Sequence, residues 1–301
     1  MIANNEKRYI IGAHNYAATT IEPALYLVAT PIGNLSDITL RALDVLAGAD
    51  VLACEDTRVT RILLDRYAIR QKPVPYHEHN AAQAGLRLLE ILQAGKSVVL
   101  VSDAGTPLIS DPGFKLVEEA RKADIRVVPI PGPSAVLAAL IATGLPTDSF
   151  FFGGFLAAKQ NARRKRLEAL QIMDTTLIFY EAPHRVAGTL ADMAEIFGEN
   201  RPAALCRELT KKFETIHTST LASLSAAYNQ ATRLRGEIVL VISPAENQAA
   251  AFNTEDMDRI LLDLAQNMSP AKAAGEAARI TGRKKQVLYS RIIELKAKQR
   301  G

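Results

Sequence analysis

What the chain lacks narrows its class first. Its 301 residues include two cysteines, Cys54 and Cys206, in separate apolar runs without Cys-x-x-Cys spacing. That spacing argues against a disulfide framework and a cysteine zinc site, and fits buried thiols in a reducing compartment. Long apolar runs are missing as well. The longest, Ala135 to Leu145, falls far short of the roughly 20 residues that a membrane-crossing helix needs. The first 20 residues hold no continuous apolar segment of the secretory kind. The expectation is a cytoplasmic protein with no membrane contact. Neither Gly-x-Gly-x-x-Gly nor a Walker phosphate loop follows the first strand, so no phosphate cradle is expected there. What is present, 48% hydrophobic and 23% charged residues, is ordinary for a globular protein and excludes disorder as the default.

The net charge of +4 mildly favours a polyanionic partner, and its distribution is more informative. From Ala271 to Gly301 nine Lys or Arg stand against two Glu, a density suited to a nucleic-acid arm. This tail, Asp256 to Ala297, reads as three amphipathic helices broken at Ser269-Pro270 and Thr281-Gly282. Either a helix-turn-helix presenting Arg283, Lys284, Lys285 and Arg291, or a plain capping bundle, fits that spacing.

Ahead of the tail, residues 1–20 are polar and aperiodic and read as a flexible leader. Short apolar runs then recur at Leu25–Val28, Val51–Cys54, Val98–Val101 and Arg126–Ile130, alternating with helical periodicity at Leu40–Ala47, Ala81–Leu92 and Phe114–Ala123. Unbroken Val/Leu strands between helices predict a parallel α/β sheet buried on both faces. A second series, Phe150–Phe152, Thr176–Tyr180, Ala203–Cys206, Ile216–Thr218 and Glu237–Ile242, has fewer evident helices and predicts a mixed α+β sheet. The division expected is an N-terminal α/β domain over 21–133, a C-terminal α+β domain over 134–245 and a basic helical extension over 246–301.

In an open α/β sheet ligands gather beyond the strand C-termini, so the loops there carry the candidate chemistry. After the first strand comes Ala29-Thr30-Pro31-Ile32-Gly33-Asn34-Leu35-Ser36-Asp37, small enough for close backbone approach and ending in an Asp placed to cap a helix. After the second stands Glu55-Asp56-Thr57-Arg58, where Asp56 is either a functional carboxylate or a helix cap. After the third, Ser102 to Gly113 holds four Gly or Pro residues in twelve, a long rigid loop of the kind that usually has a task. Tyr180-Glu181-Ala182-Pro183-His184-Arg185 and Arg207-Glu208-Leu209-Thr210-Lys211 each place acids beside bases at a strand end, fit for proton transfer, phosphate contact or simple surface pairing. The basic run Lys159 with Arg163 to Arg166 is expected to add salt-sensitive affinity for a polyanion. His77-Glu78-His79-Asn80 has a His-x-His but no complementary ligands, which favours a polar substrate-side loop over a metal site.

These segments, with Pro131-Gly132-Pro133-Ser134 and Gly236-Glu237, follow one another over about residues 25–243 in an order that resembles the ribosomal RNA small-subunit methyltransferase I family of the tetrapyrrole methylase superfamily. The resemblance implies a two-domain tetrapyrrole-methylase-like fold with a helical C-terminal module. It further implies S-adenosyl-L-methionine in the interdomain cleft, a homodimer, and 2′-O-methylation of a cytidine ribose in the decoding region of small-subunit ribosomal RNA, free or in the assembled 30S subunit. The alternative is a tetrapyrrole-precursor methyltransferase of the same fold. By the same analogy the cofactor is bordered by Pro31, Asp103, Ala104, Thr106, Pro107, Ser134, Phe179, Leu209 and Glu237. Glu181, Glu208 and Glu55, with Arg185, are the catalytic candidates, and the proton acceptor stays open among Glu181, Glu208, Glu55 and His184. Arg58, His77, His184, Arg185, Arg207 and Lys211 face the RNA. No metal is required. Where tetrapyrrole enzymes read Gly-Asp-Pro, this chain has Ser102-Asp103-Ala104-Gly105, in keeping with the ribosomal branch.

Overall fold

The structure, a computed structural model, describes residues 7–229, 234–245, 254–281 and 285–298. It opens with a hairpin of β1 (Arg8–Ile11) and β2 (His14–Ala17) where the sequence suggested a loose leader. The reason is one anchor. Tyr9 is buried and stacks on Tyr16, the Lys7 ammonium donates to the carbonyls of Gly48 and Ala49, and Gly12 turns the chain at a φ of 60°. Residues 1–6 lie outside the described residues.

The first sheet is built from β3 (Leu25–Val28), β4 (Val51–Cys54), β5 (Val74–Pro75), β6 (Val98–Val101) and β7 (Val127–Ile130). Its order is β5-β4-β6-β3-β7, and every pairing is parallel. The four residues of β6 are wholly buried, each contributing roughly 1.5–3 kcal/mol of apolar burial, which is why the run is unbroken by polar residues. One face packs against α1 (Leu40–Gly48) and α2 (Thr57–Arg66), the other against α3 (Ala81–Gln93) and α4 (Phe114–Lys122). Asp37 does not cap α1; it sits in a short 3-10 turn capped by Asn34, and Thr39 caps α1 by accepting from the Ala42 amide.

Because β6 returns between β3 and β4, the loops after β3, β4, β6 and β7 converge on one edge. There Thr30 and Gly105 exchange two backbone hydrogen bonds of 2.8 and 3.0 Å, clamping the first loop to the third. Gly105 holds a φ of 77°, which a side chain would oppose.

The second sheet contains β8 (Phe150–Phe155), β9 (Thr176–Glu181), β10 (Pro202–Arg207), β11 (Thr215–Thr220) and β12 (Ile238–Ile242) in the order β11-β10-β12-β9-β8. Only β8 and β9 pair in parallel, so the sheet is mixed, as its composition predicted. Helices are denser here than the sequence suggested: α5 (Ala135–Ala142), α6 (Gln160–Leu170), α7 (Val186–Phe197) and α8 (Leu221–Ala227) accompany it. A shared apolar cluster of Ile32 from the first loop, Val136 and Leu140 from α5, and Ile178, Leu209 and Val239 joins the two sheets.

The tail forms α9 (Thr254–Asn267), α10 (Pro270–Thr281) and α11 (Lys285–Lys298), packed on a small core of its own from Met257, Leu261, Ala273, Ala277, Leu288 and Ile292. Arg291, read from sequence as facing nucleic acid, pairs with Asp258 at 2.6 Å and with Glu294 at 2.9 Å. Residues 246–253, at the start of the expected extension, and 282–284, which include Gly282 of the expected break and the candidate contacts Arg283 and Lys284, lie outside the described residues. Among the described residues no helix is long and apolar enough to cross a membrane.

Candidate active site

The converging loops and the edge of the second sheet enclose a cleft of about 410 Å³. Ile32, Asp103 to Thr106 and Ile109 to Asp111 come from the first half, Ser134 and Ala135 from the N-terminus of α5, and Phe155, Tyr180 to Pro183 and Gly236 to Val239 from the second. Four carboxylates line it, Asp103, Asp111, Glu181 and Glu237, and among the described residues no Lys, Arg or His does. A smaller cavity of about 230 Å³, lined by Pro31, Gly33, Val59, Ile62, Lys211 and others, shares Ile32, Asp103, Ala104 and Glu237 with it. Gly33 is required there: a Cβ would come within 2.5 Å of the Lys211 side chain and 2.9 Å of the Leu209 carbonyl.

Crowding of acids governs the electrostatics. Burial pushes the Asp111 carboxyl up to about 6, against a hydrogen bond from Ser102 and with help from the charges of Glu55 and Asp103. Glu55 is raised by burial and by Asp103, with His77 offsetting part of it. Tyr180 is pushed up to about 12, chiefly by burial and then by Asp111 and Glu237. Its ring meets Phe152 and Phe155 edge-on, at 4.9 and 5.5 Å between centroids. The Ser102–Gly113 loop is strained: Leu108 and Ser110 hold φ values of 72° and 67°, a region that costs about 1–3 kcal/mol for such residues.

The sequence-derived residues divide sharply. Asp103, Ala104, Thr106, Ser134, Glu181 and Glu237 line the cleft, and Pro31 lines its neighbour. Phe179 does not: it is wholly buried in the second core beneath Gly153, where alternation along β9 puts Tyr180 on the cleft side instead. Leu209 is buried in the apolar junction between the sheets, and Pro107 is buried and lines no cavity named here.

Among the catalytic candidates, Glu181 borders the cleft but both its carboxylate oxygens are engaged. It accepts from the Thr189 hydroxyl at 2.6 Å and the Ala182 amide at 2.8 Å, and lies 3.2 Å from Arg185. Glu208, at a φ of 52°, accepts from Lys211 and from the Glu237 amide, bracing a turn rather than facing the cleft. Glu55 is half-buried near Asp103 and outside the lining. Asp103 accepts from the Asp56 amide at 2.9 Å, tying the second loop to the third.

The residues assigned to the RNA side are not one patch. Arg58 is 89% exposed and paired with Asp56, whose carboxylate caps α2 and is held down at about 2 by that arginine. His77 packs edge-on against His79, its Nδ1 buried without a hydrogen-bond partner. Arg207 donates to the carbonyls of Arg235 and Phe213 and to the Thr215 hydroxyl, so it holds backbone in place. Lys211 is pinned between Glu208 and Glu237 at 2.9 and 2.8 Å. His184 and Arg185 instead line a third cavity, of about 570 Å³, which shares Pro183 with the cleft.

The run Lys159 with Arg163 to Arg166 is also less available than its sequence implied. Arg163 is buried against Asp192 at 2.7 Å, Arg164 is shared between Asp192 and Glu195, and Arg166 lies over the Phe151 ring. Asp111 and Tyr180 were not singled out as site residues; their signal was position, a loop acid and an aromatic at the end of a buried strand. Among the described residues no group of three or more His, Cys, Asp or Glu is placed to hold a metal ion.

Comparison with known proteins matches residues 24–225 to the Tetrapyrrole (Corrin/Porphyrin) Methylases and residues 252–296 to the RsmI C-terminal HTH domain. Proteins named Ribosomal RNA small subunit methyltransferase I are similar over nearly the whole chain. That of Mesorhizobium japonicum is 58% identical, covering 95% of this chain and 97% of its own length. That of Escherichia coli O157:H7 is 45% identical, covering 92% and 97%. The fold is shared with uroporphyrin-III C-methyltransferase from Thermus thermophilus, at a TM-score of 0.54 and 22% identity over 74% of this chain and 95% of that one. A further structure of that enzyme, complexed with S-adenosylhomocysteine, gives a TM-score of 0.53 at 17% identity over 76% and 100%.

Proposed function

The chain belongs to the ribosomal RNA small subunit methyltransferase I family of the tetrapyrrole methylases, and from that premise we propose that it moves the methyl group of S-adenosylmethionine to the 2′-hydroxyl of a cytidine ribose in the decoding region of small-subunit ribosomal RNA. The observation that carries this reading is the cleft: a cavity of about 410 Å³, within the range of small-molecule sites, lined among the described residues by four acids and no base. Such a lining fits a ligand with a positive sulfur, and the apolar Ile32, Ile109 and Val239 fit its less polar parts. A phosphate-bearing cofactor would be repelled.

When bound, S-adenosylmethionine supplies an electrophilic methyl group on a sulfonium that departs as a neutral thioether. Ala104 to Thr106, Ser134 and Glu237 would hold the donor, and Asp103 would face its charge. What remains for the chain is positioning and removal of one proton. Asp111 takes that proton at its carboxylate: it lines the cleft, and an acid near 6 is an efficient base at neutral pH. Glu181 holds Arg185 and the start of α7 in place instead.

The reading treats 21–133 and 134–245 as the two halves about the cleft and 246–301 as an RNA-binding extension. It places the protein in the cytoplasm, acting on the assembled 30S subunit as a homodimer. Support for self-association is the outer face of α5, where Leu137 and Ile141 are 50% and 75% exposed. The test is transfer of labelled methyl from S-adenosylmethionine to unmethylated small subunits, with the product mapped by alkali resistance. One resistant linkage in the decoding region supports the reading; label in a tetrapyrrole precursor and none in RNA sinks it.

A further inference from the structure

The third cavity, about 570 Å³, is lined by Arg163, His184, Arg185 and Arg235 together with Pro183, Asn229 and the first turn of α7, and among the described residues no acid lines it. Its charge is the inverse of the adjoining cleft, and Pro183 is the wall between them. The four basic groups are not equivalent. Arg163 is neutralised by Asp192 at 2.7 Å, so it forms wall rather than contact. Arg185 donates to the Leu156 carbonyl and lies beside Glu181, yet its buried Nε–H has no hydrogen-bond partner. Arg235 and His184 make no side-chain hydrogen bond or ion pair among the described residues. The Arg235 backbone is itself fixed, since Arg207 donates to its carbonyl at 3.3 Å. Ala187 and Gly188 add first-turn amides of α7, whose N-cap residue, Arg185, makes no side-chain cap.

Resting on the RNA-methyltransferase reading, we propose that this cavity seats a phosphodiester of the RNA strand beside the ribose presented to the cleft. Arg235 is its principal charged contact, and His184 is an accessory donor; Arg185, held by Glu181 and the Leu156 carbonyl, forms wall. A guanidinium offers two parallel donors to phosphate oxygens, and the uncapped helix start favours the same charge. The arrangement also explains how an acid-lined cleft can accept a polyanion: the strand is held by its phosphate outside the acidic field, and only the neutral ribose hydroxyl crosses the Pro183 wall.

The full-length protein tests this through methyl transfer to unmethylated small subunits across a salt series. Arg235→Gln is expected to raise KM for the subunits about tenfold and to make the dependence of log(kcat/KM) on log salt shallower by about 0.7–0.9, one phosphate's worth. The affinity for S-adenosylmethionine and kcat should stay at the wild-type level. Arg235→Lys, which keeps the charge, should recover most of the salt dependence, and Lys96→Gln, on a distant turn, should change neither. Wild-type KM and slope in Arg235→Gln overturn the phosphate site while leaving the methyltransferase reading intact. A parallel loss of cofactor affinity overturns it too, since it assigns Arg235 a structural role. A wild-type protein that transfers nothing to subunits overturns both.

Discussion

Two cavities meet at Pro183; among the described residues one has four carboxylates and no base, the other three arginines and a histidine and no acid. The cleft is assembled from both parts of the chain's main body and the basic cavity, among the described residues, from the second part alone, and the two also differ in how each charge is compensated. In the basic cavity, buried guanidinium groups are matched by acids behind the wall, Asp192 behind Arg163 and Glu181 behind Arg185. In the acidic cleft, Asp111 has no cation of its own, and its carboxyl rises to about 6. Glu181 and Glu237 have Arg185 and Lys211 beside them, which leaves Asp103 and Asp111 as the cleft acids without an ion-pair partner among the described residues, an arrangement suited to a ligand of the opposite sign. On the proposed reading, the acidic cleft serves the cofactor and the basic cavity serves the RNA strand, so a fold shared with tetrapyrrole enzymes would take its substrate class from the second cavity.

The largest effect should come from the uncompensated acid. Asp111→Asn is expected to lower kcat roughly 10²–10⁴-fold, in the range of general-base loss, with S-adenosylmethionine affinity changed only a few-fold. Single-turnover transfer measures it. The same carboxyl sets a pH dependence. Asp111 accepts a proton only when ionised, so kcat/KM should rise with pH through about 6 and level off above it, and Asp111→Asn should abolish that limb. A profile flat from pH 5 to 8 would remove Asp111 from the reaction.

Next is the compensation behind the basic wall. Asp192→Ala leaves buried Arg163 without its partner and should destabilise the fold by about 3 kcal/mol, read as a lowered unfolding midpoint in denaturant. Because it frees positive charge beside the cavity, the salt dependence of RNA binding should not become shallower. Smallest is Arg58→Ala: with 89% of its side chain exposed and Asp56 as its ion-pair partner, it should leave the unfolding midpoint and the RNA affinity close to wild type.

Much of the scaffold was legible because it is local. Leu25–Val28 and Val98–Val101 read as buried parallel strands, and their run length is what burial on both faces demands. The loops that line the cleft followed from strand ends alone. What escaped the sequence is compensation across distance. Arg163 and Arg164 look like a free basic run until α7 brings Asp192 and Glu195 against them. Glu181 looks like a base until Thr189 and Arg185 occupy its oxygens. Asp111 stands out only when the fold sets it in one cleft with Tyr180 and Glu237 from the other sheet. Arg235 gave no signal at all, for its neighbours in the cavity lie 47 or more positions earlier in the chain, apart from Asn229 and Leu234. Phe179 was misplaced by one position, the step that reverses the face of a strand.

The most direct measurement sets two affinities side by side, S-adenosylmethionine and unmethylated small subunits, in Asp103→Ala and Arg235→Gln. The account predicts a crossed pattern: Asp103→Ala weakens the cofactor about tenfold and spares RNA, while Arg235→Gln weakens RNA about tenfold and spares the cofactor. Equal losses of both ligands in both variants would contradict the division of charge on which the account rests.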